Sequence, residues 1–262
     1  MAEYSWARRR LAIPRMTSSL ALLPLPPGPL VIAHRGASVT HPENTIAAFR
    51  AAARAGADAV ELDVRLTADG VPVVLHDPAP PGGPPVRELT LADLRRGHAH
   101  VPTLPETLAA LEVGADLEIK NLPGEPDFDA LDEAVLVAVL QALDAAAFAH
   151  PLLISSFNWL TIERCRELAP GVETGFLTVA GIHAVAALDY ARSAGHAWIL
   201  PHALALAEDA AAVVEEAHAA GIRVGAWTVD DPAAMGALYA AGVDAVATND
   251  PALGVRVRSG QD

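Results

Sequence analysis

From residue 30 onward, short apolar runs alternate with Ala-rich stretches of helical period, the pattern that repeated β/α units around a parallel sheet produce. The runs that read as buried strands are 31–34, 59–63, 116–120, 152–155, 173–177, 197–200, 223–227 and 243–247. Helical segments fit between and after them, at 44–55, 104–111, 128–147, 159–168, 182–194, 205–220, 233–240 and 251–255. Gly56, Gly114, Gly195, Gly221 and Gly242 stand where helices close on a left-handed residue. Eight strands and eight helices predict an α/β fold closed on itself, a (β/α)8 TIM barrel in a single domain, for which roughly 250 residues is usual.

The run at 71–76 is left over, because it follows the second strand after only Thr67, Ala68, Asp69 and Gly70. A parallel crossover needs about a dozen residues or more, so these four read as a hairpin turn signalled by Asp-Gly. The extra strand then runs antiparallel to an extension of the second. Folding the ribbon about Asp69 sets His76 opposite Leu62, close to Glu61 and Asp63.

Composition narrows the partners. Hydrophobic residues make up 52% of the chain, enough for one large core, while a formal net charge of −14 repels nucleic acid and anionic membranes. A phosphate ester stays open as substrate wherever a cation and a few fixed basic groups reverse the field locally. Cys165 is the single cysteine, which excludes an intramolecular disulfide and reads as a packing residue. Residues 1–29 read as a flexible leader: Arg8, Arg9 and Arg10 precede a short apolar stretch broken by Pro24, and Met16 offers an alternative start. No run reaches the roughly 18 apolar residues of a membrane span. The expected compartment is the cytoplasm, and the Ala-rich helices permit a monomer or a homodimer.

The chemistry sits at strand ends. Glu61 and Asp63 are two apart, so they share one face of a strand whose other face carries Val60, Leu62 and Val64. Two carboxylates on a core strand repel each other and resist burial without a cation or water. Glu118 and Lys120 repeat the device, with Leu117 and Ile119 opposite. Glu61, Asp63 and Glu118 make an all-oxygen set that suits one hard divalent cation, Mg²⁺ or Ca²⁺, over zinc, although nearby histidines leave zinc open. Lys120 suits a phosphate oxygen, or else a structural ion pair with Glu118 or Asp63. His34-Arg35-Gly36 leaves the first strand with a proton-exchanging imidazole, a bidentate phosphate grip and a backbone free to turn sharply.

His34-Arg35-Gly36, then Pro42-Glu43-Asn44-Thr45, Glu61-x-Asp63, His76-Asp77 and Glu118-x-Lys120, occur in that order at the ends of barrel strands. In this the chain resembles the glycerophosphodiester phosphodiesterase family over residues 31–251, with echoes in Ser155-Ser156-Phe157, Ala226-Trp227-Thr228-Val229 and Thr248-Asn249-Asp250-Pro251. The resemblance implies that His34 and His76 are the general acid/base pair, that Glu61, Asp63 and Glu118 hold the metal, and that Arg35 and Lys120 hold the phosphate. It further implies cleavage of a small-molecule glycerophosphodiester to sn-glycerol 3-phosphate and an alcohol, through attack of a substrate hydroxyl on phosphorus and opening of the resulting cyclic phosphate. Trp227, at a strand end, is read as packing against the glycerol or headgroup, with a purely structural role as the alternative, and the roles of His202 and His41, in the pocket or in packing, stay open.

One segment departs from the family. Residues 77–101 are short and rich in Pro and Gly, and lack the Arg-Thr-Thr stretch that commonly follows His-Asp, so the headgroup stays open. Competing readings are a lysophospholipid-cleaving, phospholipase D-like enzyme, a non-catalytic phosphate-binding barrel, and an unrelated metal-dependent isomerase or aldolase. His34→Ala and His76→Ala are each expected to fold yet lose about 10²-fold or more in phosphodiesterase turnover. Circular dichroism beside a turnover assay checks both, and full activity in either variant would remove that histidine from the chemistry.

Overall fold

The computed structural model describes residues 28–129, 132–206 and 209–260; the expected leader, up to residue 27, lies outside the described residues. The first half of the chain runs β1 (Leu30–Ala33), α1 (Ile46–Arg54), β2 (Ala59–Leu66), β3 (Pro72–Val74), α2 (Leu91–Gly97), α3 (Leu104–Leu108), β4 (Gly114–Ile119) and α4 (Ala134–Ala146). It continues with β5 (Leu152–Ser156), α5 (Trp159–Leu168), β6 (Glu173–Thr178), α6 (Ala184–Ala194) and β7 (Trp198–Pro201). Then follow α7 (Ala210–Ala219), β8 (Arg223–Ala226), α8 (Pro232–Ala240), β9 (Ala245–Thr248) and α9 (Pro251–Ser259).

The parallel strands form a ring in the order β1-β9-β8-β7-β6-β5-β4-β2, closed by pairing of β1 with β2. This is the eight-stranded β/α barrel, with its helices outside. Strand residues are buried on both faces, as a parallel sheet covered by helices requires. Val60, Leu62, Val64, Leu117 and Ile119 face outward and pack with Phe49 of α1, Leu104 of α3 and Leu136, Val139 and Leu143 of α4. Leu30, Ile32, Leu153, Trp198 and Leu200 fill the inside of the barrel. The upper, C-terminal end is thereby left to the polar residues of the same inward faces.

The hairpin forms in the expected register. β3 runs antiparallel to β2, with Val64 opposite Val74 and Leu66 opposite Pro72. Counting on from these pairs puts His76 level with Leu62, and the Leu75 N–H still donates to the Asp63 carbonyl at 3.0 Å. The reduced segment that follows is ordered: a 3₁₀ turn at Val86–Glu88 and the short α2 enclose a small core of Val73, Val86, Leu94 and Val101. Neither element was legible from the Pro/Gly content.

Some expected boundaries shift for local reasons. The helix expected from 128 begins at Ala134, because Glu133 takes a left-handed conformation and Asp129 accepts from the Asp132 and Ala134 N–H groups. The helix expected over 205–220 is a 3₁₀ turn at Ala203–Ala205, capped by the His202 side chain, followed by α7. Gly114 closes no helix. It opens β4, where a Cβ would lie 3.2 Å from both the Asp58 and Pro151 carbonyl oxygens. No described helix is long and apolar enough to cross a membrane.

Gly36 joins fold to site. Its φ is +82°, and a Cβ there would stand 2.7 Å from the Ala48 carbonyl carbon and Cβ, so only glycine lets the turn after β1 close onto α1. Gly70, in the hairpin turn, has φ +77° but meets nothing within 4 Å. Gly36→Ala should therefore cost more than about 2 kcal/mol, whereas Gly70→Ala pays only the left-handed penalty of about 1 kcal/mol. Chemical denaturation of the two variants distinguishes them, and equal losses would refute the close-approach argument.

Candidate active site

The alternation of β2 and β4 turns Glu61, Asp63, Asp116 and Glu118 to one side, and the paired register sets Glu61 level with Asp116 and Asp63 level with Glu118. Ligand oxygens of Glu61, Asp63 and Glu118 lie within 4.8 Å of one another, and all three residues are buried. Lys120 reaches between them, its Nζ 2.9 Å from Asp63 Oδ1 and 2.6 Å from Glu118 Oε1. The ion-pair role considered for Lys120 is thus present, although its side chain also lines the cavity.

The loop after β1 supplies the second cation. Arg35 adopts φ +56°, a strained conformation for a residue with a side chain. Its N–H donates to Glu61 Oε2 at 2.8 Å, its Nη1 pairs with Glu43 at 3.0 Å, and its Nε lies 3.3 Å from Asp63 Oδ2. Asn44, also left-handed, donates from Nδ2 to Asp63 Oδ2 at 2.7 Å. Four carboxyl groups (Glu61, Asp63, Asp116, Glu118) thus meet two fixed cations (Arg35, Lys120), an excess of two negative charges when all are ionised.

That imbalance separates their proton affinities. Burial would raise Asp63, but Lys120 and Arg35 outweigh it and hold the group down to about 2. Burial pushes Glu118 up to about 8 against the pull of Lys120, and Asp116 up to about 7 against its hydrogen bond from Ser155. Glu61 is pushed well above the carboxylate range by burial and by its acidic neighbours. Its Oε1 is buried with no hydrogen-bond partner. An orphaned oxygen, uncompensated negative charge and an all-oxygen donor set together fit a divalent cation.

Both histidines border this cluster. His34 follows β1, with Nε2 4.0 Å from Glu61 Oε2. Its Nδ1 lies 2.8 Å from Asn249 Oδ1, while Asn249 Nδ2 donates to Asp230 Oδ2 at 2.6 Å. A carboxylate only accepts, so Asp230 orients the amide, the amide oxygen accepts from His34 Nδ1–H, and Nε2 keeps its lone pair. Burial lowers the His34 pKa, opposed in part by the Asn249 hydrogen bond. His76 lies just beyond β3, its Nδ1 2.7 Å from Asp77 Oδ1.

Trp227 forms a wall of the cavity. Its Nε1 donates to the Leu200 carbonyl at 2.8 Å, and Phe157 and His202 meet its ring edge-on at 5.3 and 5.1 Å. His202 stands behind Trp227 and is absent from the cavity lining, as is His41, which bonds to Thr40. Sequence reasoning passed over Asp116, although the alternation that marks Glu118 marks it too. It also missed Asn249 as the partner of His34 and Asp230 as the partner of Asn249, which no local spacing signals.

A polar cluster at the C-terminal mouth of a β/α barrel stands where such enzymes carry their active sites, which sets the chain among the barrel enzymes. The family model described as "Glycerophosphoryl diester phosphodiesterase family" matches residues 34–253. A glycerophosphodiester phosphodiesterase of Caldanaerobacter subterraneus subsp. tengcongensis is 32% identical over 240 residues, 85% of this chain and 94% of that protein. An Oleispira antarctica phosphodiesterase, solved with its product sn-glycerol-3-phosphate, superposes with a TM-score of 0.75 at 29% identity, over 88% of this chain and 97% of that one. The Thermotoga maritima glycerophosphodiester phosphodiesterase gives 0.72 at 26% identity, over 87% and 98%. The chain belongs to the glycerophosphoryl diester phosphodiesterase family and is a phosphodiester hydrolase.

The raised carboxyl groups give a direct test of the cation site. Between about pH 5 and 8 the folded protein retains protons on Glu118 and Asp116 that the unfolded chain has released, so the cation-free protein should lose stability as pH rises. Mg²⁺ or Ca²⁺ at about 100 times its dissociation constant should add about 2.7 kcal/mol and flatten that slope. Thermal unfolding across pH, with EDTA and with each cation, measures both; an unchanged slope would count against the site.

Proposed function

We propose that the chain hydrolyses glycerophosphodiesters to sn-glycerol 3-phosphate and an alcohol, with His34 and His76 as acid/base pair and one Mg²⁺ or Ca²⁺ on Glu61, Asp63 and Glu118. Arg35, Lys120 and Trp227 are its substrate contacts. The observation that carries this reading is convergence: His34, Arg35, Glu61, His76, Glu118, Lys120 and Trp227 line one cavity, with Asp63 buried directly behind it. The Oleispira antarctica phosphodiesterase, solved in complex with its product sn-glycerol-3-phosphate, supports the choice of product.

The two histidines divide the work by their backing. His34 is half-buried against a neutral amide, and its partial burial favours the uncharged form, so Nε2 suits the removal of a proton from the attacking hydroxyl. His76 is backed by the Asp77 carboxylate, an ion pair whenever the ring is protonated, and suits delivery of a proton to the leaving alkoxide. A bound cation would supply Lewis-acid stabilisation of the charge that grows on the phosphoryl oxygens. Arg35 and Lys120 hold fixed positive charge beside the same space, where a preorganised site needs no reorientation during reaction. The Trp227 ring offers the glycerol carbons a flat apolar face and keeps water off that side. The proposed compartment is the cytoplasm.

A lysophospholipid-cleaving activity is the second reading, favoured by one observation. The exposed large hydrophobic residues Val39, Trp159, Leu160, Val179, Ile182 and Leu204 all follow strands β1, β5, β6 or β7, on the face that carries the cavity. An apolar rim suits a substrate that keeps an acyl chain. Release of glycerol 3-phosphate from glycerophosphocholine and glycerophosphoethanolamine by EDTA-stripped enzyme, before and after addition of Mg²⁺ or Ca²⁺, tests the first reading, with lysophosphatidylcholine assayed in parallel. Cation-dependent release of glycerol 3-phosphate is expected. Turnover of the lysolipid alone would transfer the assignment to the second reading, and no turnover of any substrate would overturn both.

A further inference from the structure

Arg65 lies on β2 two residues beyond Asp63, on the face that carries Glu61 and Asp63, and is 1% exposed. It does not line the cavity and holds none of the three clustered carboxylates. A buried guanidinium is stable only where its donors are met, and here three acceptors meet it, one from the adjoining hairpin and two from a segment some 60 residues on. Arg65 Nε donates to the His76 carbonyl at 2.8 Å, while Nη1 donates to Glu125 Oε2 at 2.8 Å and to Asp127 Oδ2 at 2.6 Å.

The carbonyl it grips belongs to a residue with little else to hold it. β3 ends at Val74, and the last hairpin bond runs from the Leu75 N–H. Beyond that bond, the His76 ring meets only Asp77 among the described hydrogen bonds, and the Asp77 side chain is 70% exposed. A ring that must deliver a proton to one atom cannot wander, since a misplacement of about 1 Å can cost 10²-fold in rate.

We propose that Arg65 is a positioning residue for His76: it anchors the His76 backbone so that Nε2 stays directed at the cavity, with Glu125 and Asp127 as its counter-charges. This rests on the reading of His76 as the acid that protonates the leaving alkoxide. Arginine suits the task because its planar fork satisfies several acceptors at once. Lysine, a single ammonium on a flexible stem, keeps the charge but not the fork.

The test compares glycerophosphocholine with the p-nitrophenyl ester of glycerol 3-phosphate, whose leaving group departs without a proton. In single turnover, read as release of the alcohol in the first step, Arg65→Lys should slow cleavage of glycerophosphocholine by about 10- to 100-fold and change release of p-nitrophenolate by less than about threefold. KM for both and divalent-cation affinity should be unchanged. His76→Ala should show the same split more strongly. Should Arg65→Lys fail to fold, a triple variant, Arg65→Met with Glu125→Gln and Asp127→Asn, removes the cation together with both counter-charges, leaves no unpaired buried ion, and is read the same way.

Equal losses on the two substrates, or none, would overturn the anchor, because a merely structural role lowers both together. If His76→Ala shows the split and the Arg65 variants do not, the anchor alone fails. If His76→Ala shows no split, the acid assignment fails and takes the proposal with it.

Discussion

The structure is organised around the burial of four carboxyl groups at one end of a barrel that is otherwise filled with apolar side chains. Carboxylates leave water only when something replaces their hydration, and each neighbour of this cluster does part of that. Lys120 and Arg35 bring charge, Asn44 and Ser155 bring donors, and the Arg35 N–H reaches Glu61. The compensation is uneven. Asp63 receives both cations and is held ionised, while Glu61, Asp116 and Glu118 remain short of positive charge and take up protons more readily than free carboxyls. A site left deficient in this way is ready for a divalent ion.

The two histidines reach that deficit by different routes, and barrel closure supplies one of them. His34 leaves the first strand and is oriented by Asn249, 215 residues later, because β1 and β9 are neighbours in the closed ring. His76 arrives by a route within the chain's first third, on a hairpin that extends β2 above its parallel partners. One ring is backed by a neutral amide and the other by a carboxylate. Two chemically identical side chains thereby become inequivalent, which is the condition for dividing acid from base.

The rest of the mouth is apolar where the cluster is polar. Trp227, Phe157, Leu177 and Leu200 line the same cavity as the carboxylates, so a ligand with a charged phosphate and a carbon backbone finds both polar and apolar lining there. Family membership is consistent with that mixed lining. In this chain the segment after β3 is a compact unit that shares a small core with β3 rather than a bare Pro/Gly linker.

Periodicity carried most of the architecture. The eight strand positions, the inward face of Glu61, Asp63 and Glu118, and the hairpin register that sets His76 beside them follow from alternation and turn chemistry, which are local. The helix at Trp159–Leu168 was legible to the residue, since Asn158 caps it. The Ala-rich stretches around α4 and α7 were not, because an apolar residue at nearly every position leaves no periodic edge to mark where a helix starts. The sequence by itself thus determined which residues share a face and which strand ends carry charge. Only the tertiary structure decided which of them touch: Asn249 and Asp230 behind His34, Arg65 behind the His76 backbone, Lys120 between Asp63 and Glu118. The contacts of Asn249 with His34, of Lys120 with Asp63 and of Arg65 with its counter-charges join segments far apart in the chain, and their geometry comes from the tertiary arrangement, which no local spacing encodes.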